Sequence, residues 1–195
     1  MNQVSKDNAK LATACAVSAG LFVLTRLARV GDVVDYESAR WLECLGWHHL
    51  ANQTRFQRFS RLATQLPEYR SLVHFRLRSL PLPIRILART LWPGEKTLHI
   101  HTEHIEPGLF IQHGFATTIT AESIGRDCWV NQQVTIGHTR KGKPSIGDFV
   151  AIGAGAVLVG PIVIGDNAQI GVNATVVKDV AAGAVMVAPQ ALRLR

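Results

Sequence analysis

Cysteine is scarce in this 195-residue chain: Cys15, Cys44 and Cys128 are odd in number and have no C-x-x-C spacing. That argues against a disulfide framework and fits a reducing compartment such as the cytoplasm. Charged residues are only 18% of the chain against 47% hydrophobic ones, which excludes a disordered tail. Helix-turn-helix, zinc-finger and aromatic RNA-reading motifs are missing, so the net charge of +7 does not point to nucleic acid. No apolar run reaches the roughly 20 residues of a spanning helix. The longest, "LATACAVSAGLFVLT" at 11–25, follows Lys6 and Lys10 for fifteen positions. No small-x-small cleavage site follows before Arg26 and Arg29, so a signal peptide is not favoured. A buried or peripheral helix is expected there, with a membrane-associated helix as the alternative.

What is present divides the chain. Residues 1–96 hold 14 Lys/Arg against 7 Asp/Glu, whereas residues 97–195 hold 7 against 7. The whole cationic excess therefore lies in the first half, where it suits anionic lipid or acidic partners. That half reads as helical. Phe56, Phe59 and Leu62 recur every three positions, interleaved with Arg55, Arg58 and Arg61, the pattern of an amphipathic helix with a basic face. Pro67 is expected to break it, before a second arginine-rich stretch from Tyr69 to Leu80 and a third segment, "IRILARTLW", at 84–92. Packing against a partner subunit is the first expectation for these helices, and an anionic membrane surface the second.

The second half has a period. Ile146, Ile152, Leu158, Ile164, Ile170 and Val176 fall every six residues, and Val150, Ala156, Ile162, Ala168, Ala174 and Val180 follow four places after each. Glycine stands directly after the lead residue at Gly147, Gly153, Gly165 and Gly171, suggesting a turn with unusual backbone angles. Upstream, Ile105, Ile111, Ile124, Val130 and Ile136 lead, with Leu109, Phe115, Cys128 and Val134 in fifth place. One extra residue is expected near "TTITAE" and a four-residue loop around "HTRKGKP" (138–144). A six-residue period cannot be a helical stripe of 3.6. It describes short strands and turns that stack three to a coil, each coil burying its two inward residues per side on the next. The fold expected is α+β in chain order: a helical region at 1–95, a parallel β-helix domain at 96–189 with about four coils over roughly 99–181, and a tail at 190–195.

The segment "SIGDFVAIGAGAVLVGPIVIGDNAQIGVNATVVKDV" (145–180) resembles the hexapeptide-repeat acyltransferases, and "GLFIQHGF" (108–115) with "SIGRDCWVNQQVTIG" (123–137) resembles the serine O-acetyltransferases, especially shorter ones associated with polysaccharide biosynthesis. The resemblance implies a left-handed β-helix, assembly as a trimer or a dimer of trimers, and acetyl-CoA as acyl donor with no metal. It implies that His113 is the general base on the acceptor hydroxyl. Gly137, Ala154, Val172 and Lys178 are then expected along the cofactor. Gln112, Arg140 and Lys143 are expected at the acceptor, with Arg140 and Lys141 also placed for cofactor phosphates. His113, Gln132, Ala154 and Val172 are expected to form one column along a corner of the prism. The chain departs from the longer family members, which carry aspartate where Gln112 stands and a loop histidine where Lys143 stands. The carboxylate that orients the base falls near Leu98 or His99, with Glu103 or Glu122 as substitutes. Serine is the first acceptor expected and a sugar of a cell-surface polysaccharide the second.

Two other readings remain open from the residues. "HIHTEH" supplies His99, His101 and His104, a spacing that could suit zinc at a subunit junction. A non-catalytic scaffold, with repeats that serve only assembly, is the other. Cys128 is expected in the core, and Trp129 at an outward position.

Overall fold

The computed structural model describes residues 3–190; the expected tail at 190–195 therefore lies, Gln190 apart, outside the described residues. The chain divides between Lys96 and Thr97 into two compact units.

The first unit is helical: α1 (Gln3–Leu27), α2 (Gly31–Cys44), α3 (Arg55–Gln65), α4 (Pro67–Arg76) and α5 (Leu82–Leu91). Thr54 starts α3 with a reciprocal cap. Its hydroxyl accepts from the Gln57 N–H at 3.3 Å, and the Gln57 side chain accepts from the Thr54 N–H at 3.0 Å. α3 ends before Pro67, the break expected there, and Pro67 is also the first residue of α4, where its missing N–H has no helical partner to lose. Trp41, Phe59, Leu62, Tyr69 and Leu72 form the fully buried core. The Tyr69 hydroxyl is 2.7 Å from that of Ser38, and the buried Glu37 carboxylate pairs with Arg76 at 2.6 Å.

The apolar part of α1 is longer than its fifteen-residue core suggests. Asp7–Leu27, 21 residues, is long and apolar enough to cross a membrane by length and composition. One face packs on α3: Ser18 donates to the Ser60 hydroxyl at 2.8 Å, and the Phe22 ring lies 4.9 and 5.2 Å from those of Phe56 and Phe59. On the other face Val17, Val23 and Leu27 are exposed.

The second unit is a parallel β-helix. One face stacks β1 (Leu98–Ile100), β4 (Thr117–Ile119), β7 (Thr135–Gly137), β10 (Val157–Val159) and β13 (Thr175–Val176). The next stacks β2 (His104–Ile105), β5 (Ser123–Ile124), β8 (Ser145–Ile146) and β11 (Val163–Ile164). The third stacks β3 (Phe110–Ile111), β6 (Trp129–Val130), β9 (Ala151–Ile152), β12 (Gln169–Ile170) and β14 (Val185–Met186). Two faces therefore have five strands, and the stack runs from Leu98 to Met186 rather than over four coils from 99 to 181. The hexad rule holds where it is regular: all twelve apolar positions from Ile146 to Val180 are buried. Cys128 is also fully buried, its thiol 3.1 Å from the Gly147 carbonyl.

The glycines after the lead residues have a different cause from the one expected. None of Gly147, Gly153, Gly165 and Gly171 has a positive φ; Gln133, Phe149, Gly155, Asn167 and Asn173, further round the corners, do. A Cβ at Gly153 would lie 2.8 Å from the Val172 backbone nitrogen in the next coil. The glycine is there for close stacking.

Candidate active site

His113 lies on the corner that joins the β3–β6–β9–β12 face to the β4–β7–β10–β13 face. Upstream of it the coils are in register: Ile111 stacks on Val130, Val130 on Ile152 and Ile152 on Ile170. Downstream, Ile119 stacks on Ile136. Ile111 to Ile119 is eight positions, where the later coils take six, and Ile119 to Ile124 is five. The chain thus gains two residues at this corner and loses one at the next, and the single insertion expected near "TTITAE" is their sum.

Hydrogen bonds locate the two residues. The N–H groups of Gln133, Gly155 and Asn173 donate to the carbonyls of Phe115, Gln132 and Ala154 at 2.9, 3.1 and 2.9 Å. The column on this corner is therefore Phe115, Gln132, Ala154 and Val172. His113 and Gly114 bulge out beside it, which corrects the expected place of His113 in the column. It also corrects Phe115: the insertion turns that ring outward, 56% exposed, and Thr117 takes the inward position, fully buried. The bulge is held at both ends. Gln112 N–H donates to the Val130 carbonyl at 2.9 Å, and Ala116 N–H donates to the Thr97 hydroxyl at 2.9 Å. Between these anchors His113 and Ala116 adopt φ of 56° and 49°, left-handed conformations that cost a non-glycine residue energy. The Phe115 N–H closes the turn onto the His113 carbonyl. Gly114 is buried beneath, and His113 is exposed.

The other expected site residues divide between two corners. Gln112, Ala154 and Val172 share that of His113; Val172 is 60% exposed. Gly137 ends β7, and Arg140, Lys143 and Lys178 belong to the following corner, where residues 138–144 form the extruded loop. Thr139 and Gly142 bridge across the base of that loop, their N–H to carbonyl distances 3.0 and 3.3 Å, and hold Arg140 and Lys141 at an exposed tip. One chain therefore does not bring the loop cations to His113.

The expected orienting acids do not reach His113. Leu98 is buried and stacks on Thr117. His99 stacks on His101 with ring centroids 6.0 Å apart. Glu103 and Glu122 are exposed on the corner that follows β1 and β4, a different corner from that of His113. His104 lies on β2, and among the described residues no group of three His, Cys, Asp or Glu side chains is arranged to hold a metal ion. Asn131 and Thr97 were not anticipated from sequence. Asn131 was findable, because counting one coil on from Gln112 lands on it, and its side-chain amide donates to the Gln112 side-chain oxygen at 3.2 Å.

A stack of hexads whose regularity breaks to push a histidine out of one corner and a basic loop out of the next is the framework of a hexapeptide-repeat acyltransferase. Residues 143–178 match the bacterial transferase hexapeptide family of six repeats. Serine acetyltransferase from Helicobacter pylori is 31% identical over 161 residues, 80% of either chain, and that from Mycobacterium tuberculosis is 41% identical over 115 residues, 53% of this chain and 49% of the other. The chain belongs to the serine acetyltransferase family, and it is an acyltransferase. The fold agrees with solved members. Neisseria gonorrhoeae serine acetyltransferase in complex with serine aligns over 92% of this chain and 81% of its own, with a TM-score of 0.65 at 22% identity. Serine acetyltransferase isoform 3 from Entamoeba histolytica in complex with cysteine aligns over 98% and 68%, with a TM-score of 0.61 at 23% identity. The β-helix is left-handed.

Proposed function

We propose that this chain transfers the acetyl group of acetyl-CoA to the hydroxyl of serine, the entry step of cysteine biosynthesis, with His113 as general base. The observation that carries the reading is the two-residue bulge: a strained, anchored turn on an otherwise repetitive corner that presents one imidazole to solvent. The neutral imidazole accepts the hydroxyl proton as the oxygen attacks the acetyl carbonyl and returns it to the departing thiolate. A base so placed contributes roughly 10²–10⁴-fold.

The residues along the two corners fit the donor. Phe115 and Val172 offer exposed apolar surface beside Ala154, and Lys178, Arg140 and Lys141 offer exposed cations for phosphates. Gly137 lies between them. A Cβ there would make only ordinary contacts, 3.6 Å to Val159 and 3.7 Å to Thr135, so the bare backbone answers no need of the chain's own packing and leaves room for a ligand. Acetyl-CoA supplies the activated acetyl carbonyl. Because His113 and the loop residues Arg140 and Lys143 occupy different corners, they serve one acceptor only if neighbouring subunits meet there, and we infer a homotrimer with three shared sites. Gln112 and the neighbour's loop then bind the acceptor. The exposed face of α1, with Lys10 and Arg29 near its ends, suits peripheral contact with an anionic inner-membrane surface of a cytoplasmic enzyme. Measuring thiol release from acetyl-CoA with serine or with sugar acceptors tests the reading: serine-dependent release supports it, and release only with sugars assigns the same chemistry to a polysaccharide acceptor.

A further inference from the structure

The structure assigns Gln112 a single orientation, and from it we infer what the acceptor must present beside the reacting hydroxyl: an oxygen that accepts hydrogen bonds, a carboxylate or carbonyl, rather than an ammonium group. This deepens the O-acetyltransferase reading and rests on it. The chain of reasoning starts from a backbone nitrogen. The Gln132 N–H lies 2.8 Å from one terminal atom of the Asn131 amide. An N–H can only donate, so that atom is Oδ1. The other terminal atom of Asn131 is then Nδ2, which can only donate, and it lies 3.2 Å from the Gln112 side chain. The Gln112 atom that receives it must be Oε1. What remains is Nε2 with two N–H donors, for which the described residues provide no partner. The flip of an amide is usually a free choice; here two successive bonds remove it.

The position gives the orientation its consequence. Gln112 is half-buried, immediately precedes His113, and its own N–H is tied to the Val130 carbonyl at 2.9 Å, so its backbone does not follow the bulge. A pair of fixed donors next to the base selects a β-hydroxy acid by its carboxylate oxygen. The same donors repel the N–H groups of a cationic amine.

Two substitutions read this out by opposite means. Gln112→Glu replaces the donors by a carboxylate oxygen and leaves the bond from Asn131 in place. Asn131→Asp leaves residue 112 untouched. Its two oxygens accept from the Gln132 N–H and from Gln112 Nε2, which turns the glutamine over and presents Oε1 instead. The measurement is kcat/KM for acetyl transfer to 3-hydroxypropionate, which lacks the amine of serine, relative to ethanolamine, which lacks the carboxylate. The unmodified protein favours 3-hydroxypropionate, and both variants lower that ratio about tenfold or more, the size of one charge-assisted hydrogen bond. A ratio that favours ethanolamine in the unmodified protein, or one that either variant leaves unmoved, overturns the inference while the acetyltransferase reading stands. If neither acceptor nor serine itself drives thiol release from acetyl-CoA, the reading fails and the inference with it.

Discussion

At the scale of single residues, the two kinds of glycine in the β-helix make a matched test. Gly153 faces the backbone of the next coil, where a Cβ would sit 2.8 Å from the Val172 nitrogen. Backbone cannot move aside as a side chain does, so Gly153→Ala is expected to lower stability by about 1–3 kcal/mol, seen as a drop in thermal midpoint. Gly137→Ala meets only side-chain carbons at ordinary distance, so the midpoint is expected to stay in place while KM for acetyl-CoA rises several-fold. An unchanged KM would remove Gly137 from the donor path. His113 shows what a periodic sequence hides at this scale. The step of 19 from Ile105 to Ile124 gives the net insertion of one residue, but +2 followed by −1 is indistinguishable from +1 without the hydrogen bonds. The fifth-place rule fails at Phe115, which is exposed, for that reason.

At the scale of elements, the helical unit has a pH dependence built into α4. The His74 ring donates from Nε2 to the Trp92 carbonyl at 2.7 Å. Burial holds its pKa below the ordinary 6.5, and Arg89 and Arg70 push the same way against the hydrogen bond, which raises it. A depressed histidine pKa means that the unfolded chain binds the proton more readily than the folded one, so stability rises with pH through that window. The contribution is fully present above about 6.5 and is lost as pH falls below it. The thermal midpoint is therefore expected to fall between pH 7 and pH 5, and His74→Gln, which can still donate to Trp92, is expected to flatten that slope. A slope unchanged in His74→Gln would place the sensitivity elsewhere. Thr54→Ala, which removes the reciprocal cap of α3, is expected to cost about 1 kcal/mol. Elements in this unit were legible in kind but not at their ends. The three-residue spacing of Phe56, Phe59 and Leu62 gave α3, whose core residues Phe59 and Leu62 are fully buried. In the sequence Pro67 marks the end of α3 but does not reveal that the same residue starts α4. Which face of α1 packs could not be read, because the pairing of Ser18 with Ser60 depends on a helix more than thirty residues away.

At the scale of the whole molecule, the hexad period carried most of the β-helix because each coil repeats the same burial problem and solves it with the same two positions. The site is less legible, since its residues lie on two corners that a period treats alike. That separation makes the assembly testable. When His113→Ala chains are mixed equally with chains carrying Arg140→Ala and Lys143→Ala, and the subunits are allowed to exchange, random trimers rebuild about one site in four. Recovery of about a quarter of the unmodified turnover from two weak parents is expected; no recovery would mean that each site is made by one chain.

The most direct measurement of the central claim is kcat for serine acetylation by His113→Ala, with its thermal midpoint recorded alongside. The imidazole is exposed and serves no contact in the core, so the midpoint is expected to hold while kcat falls roughly 10²–10⁴-fold. A variant that is equally stable and turns over at the unmodified rate would contradict the account.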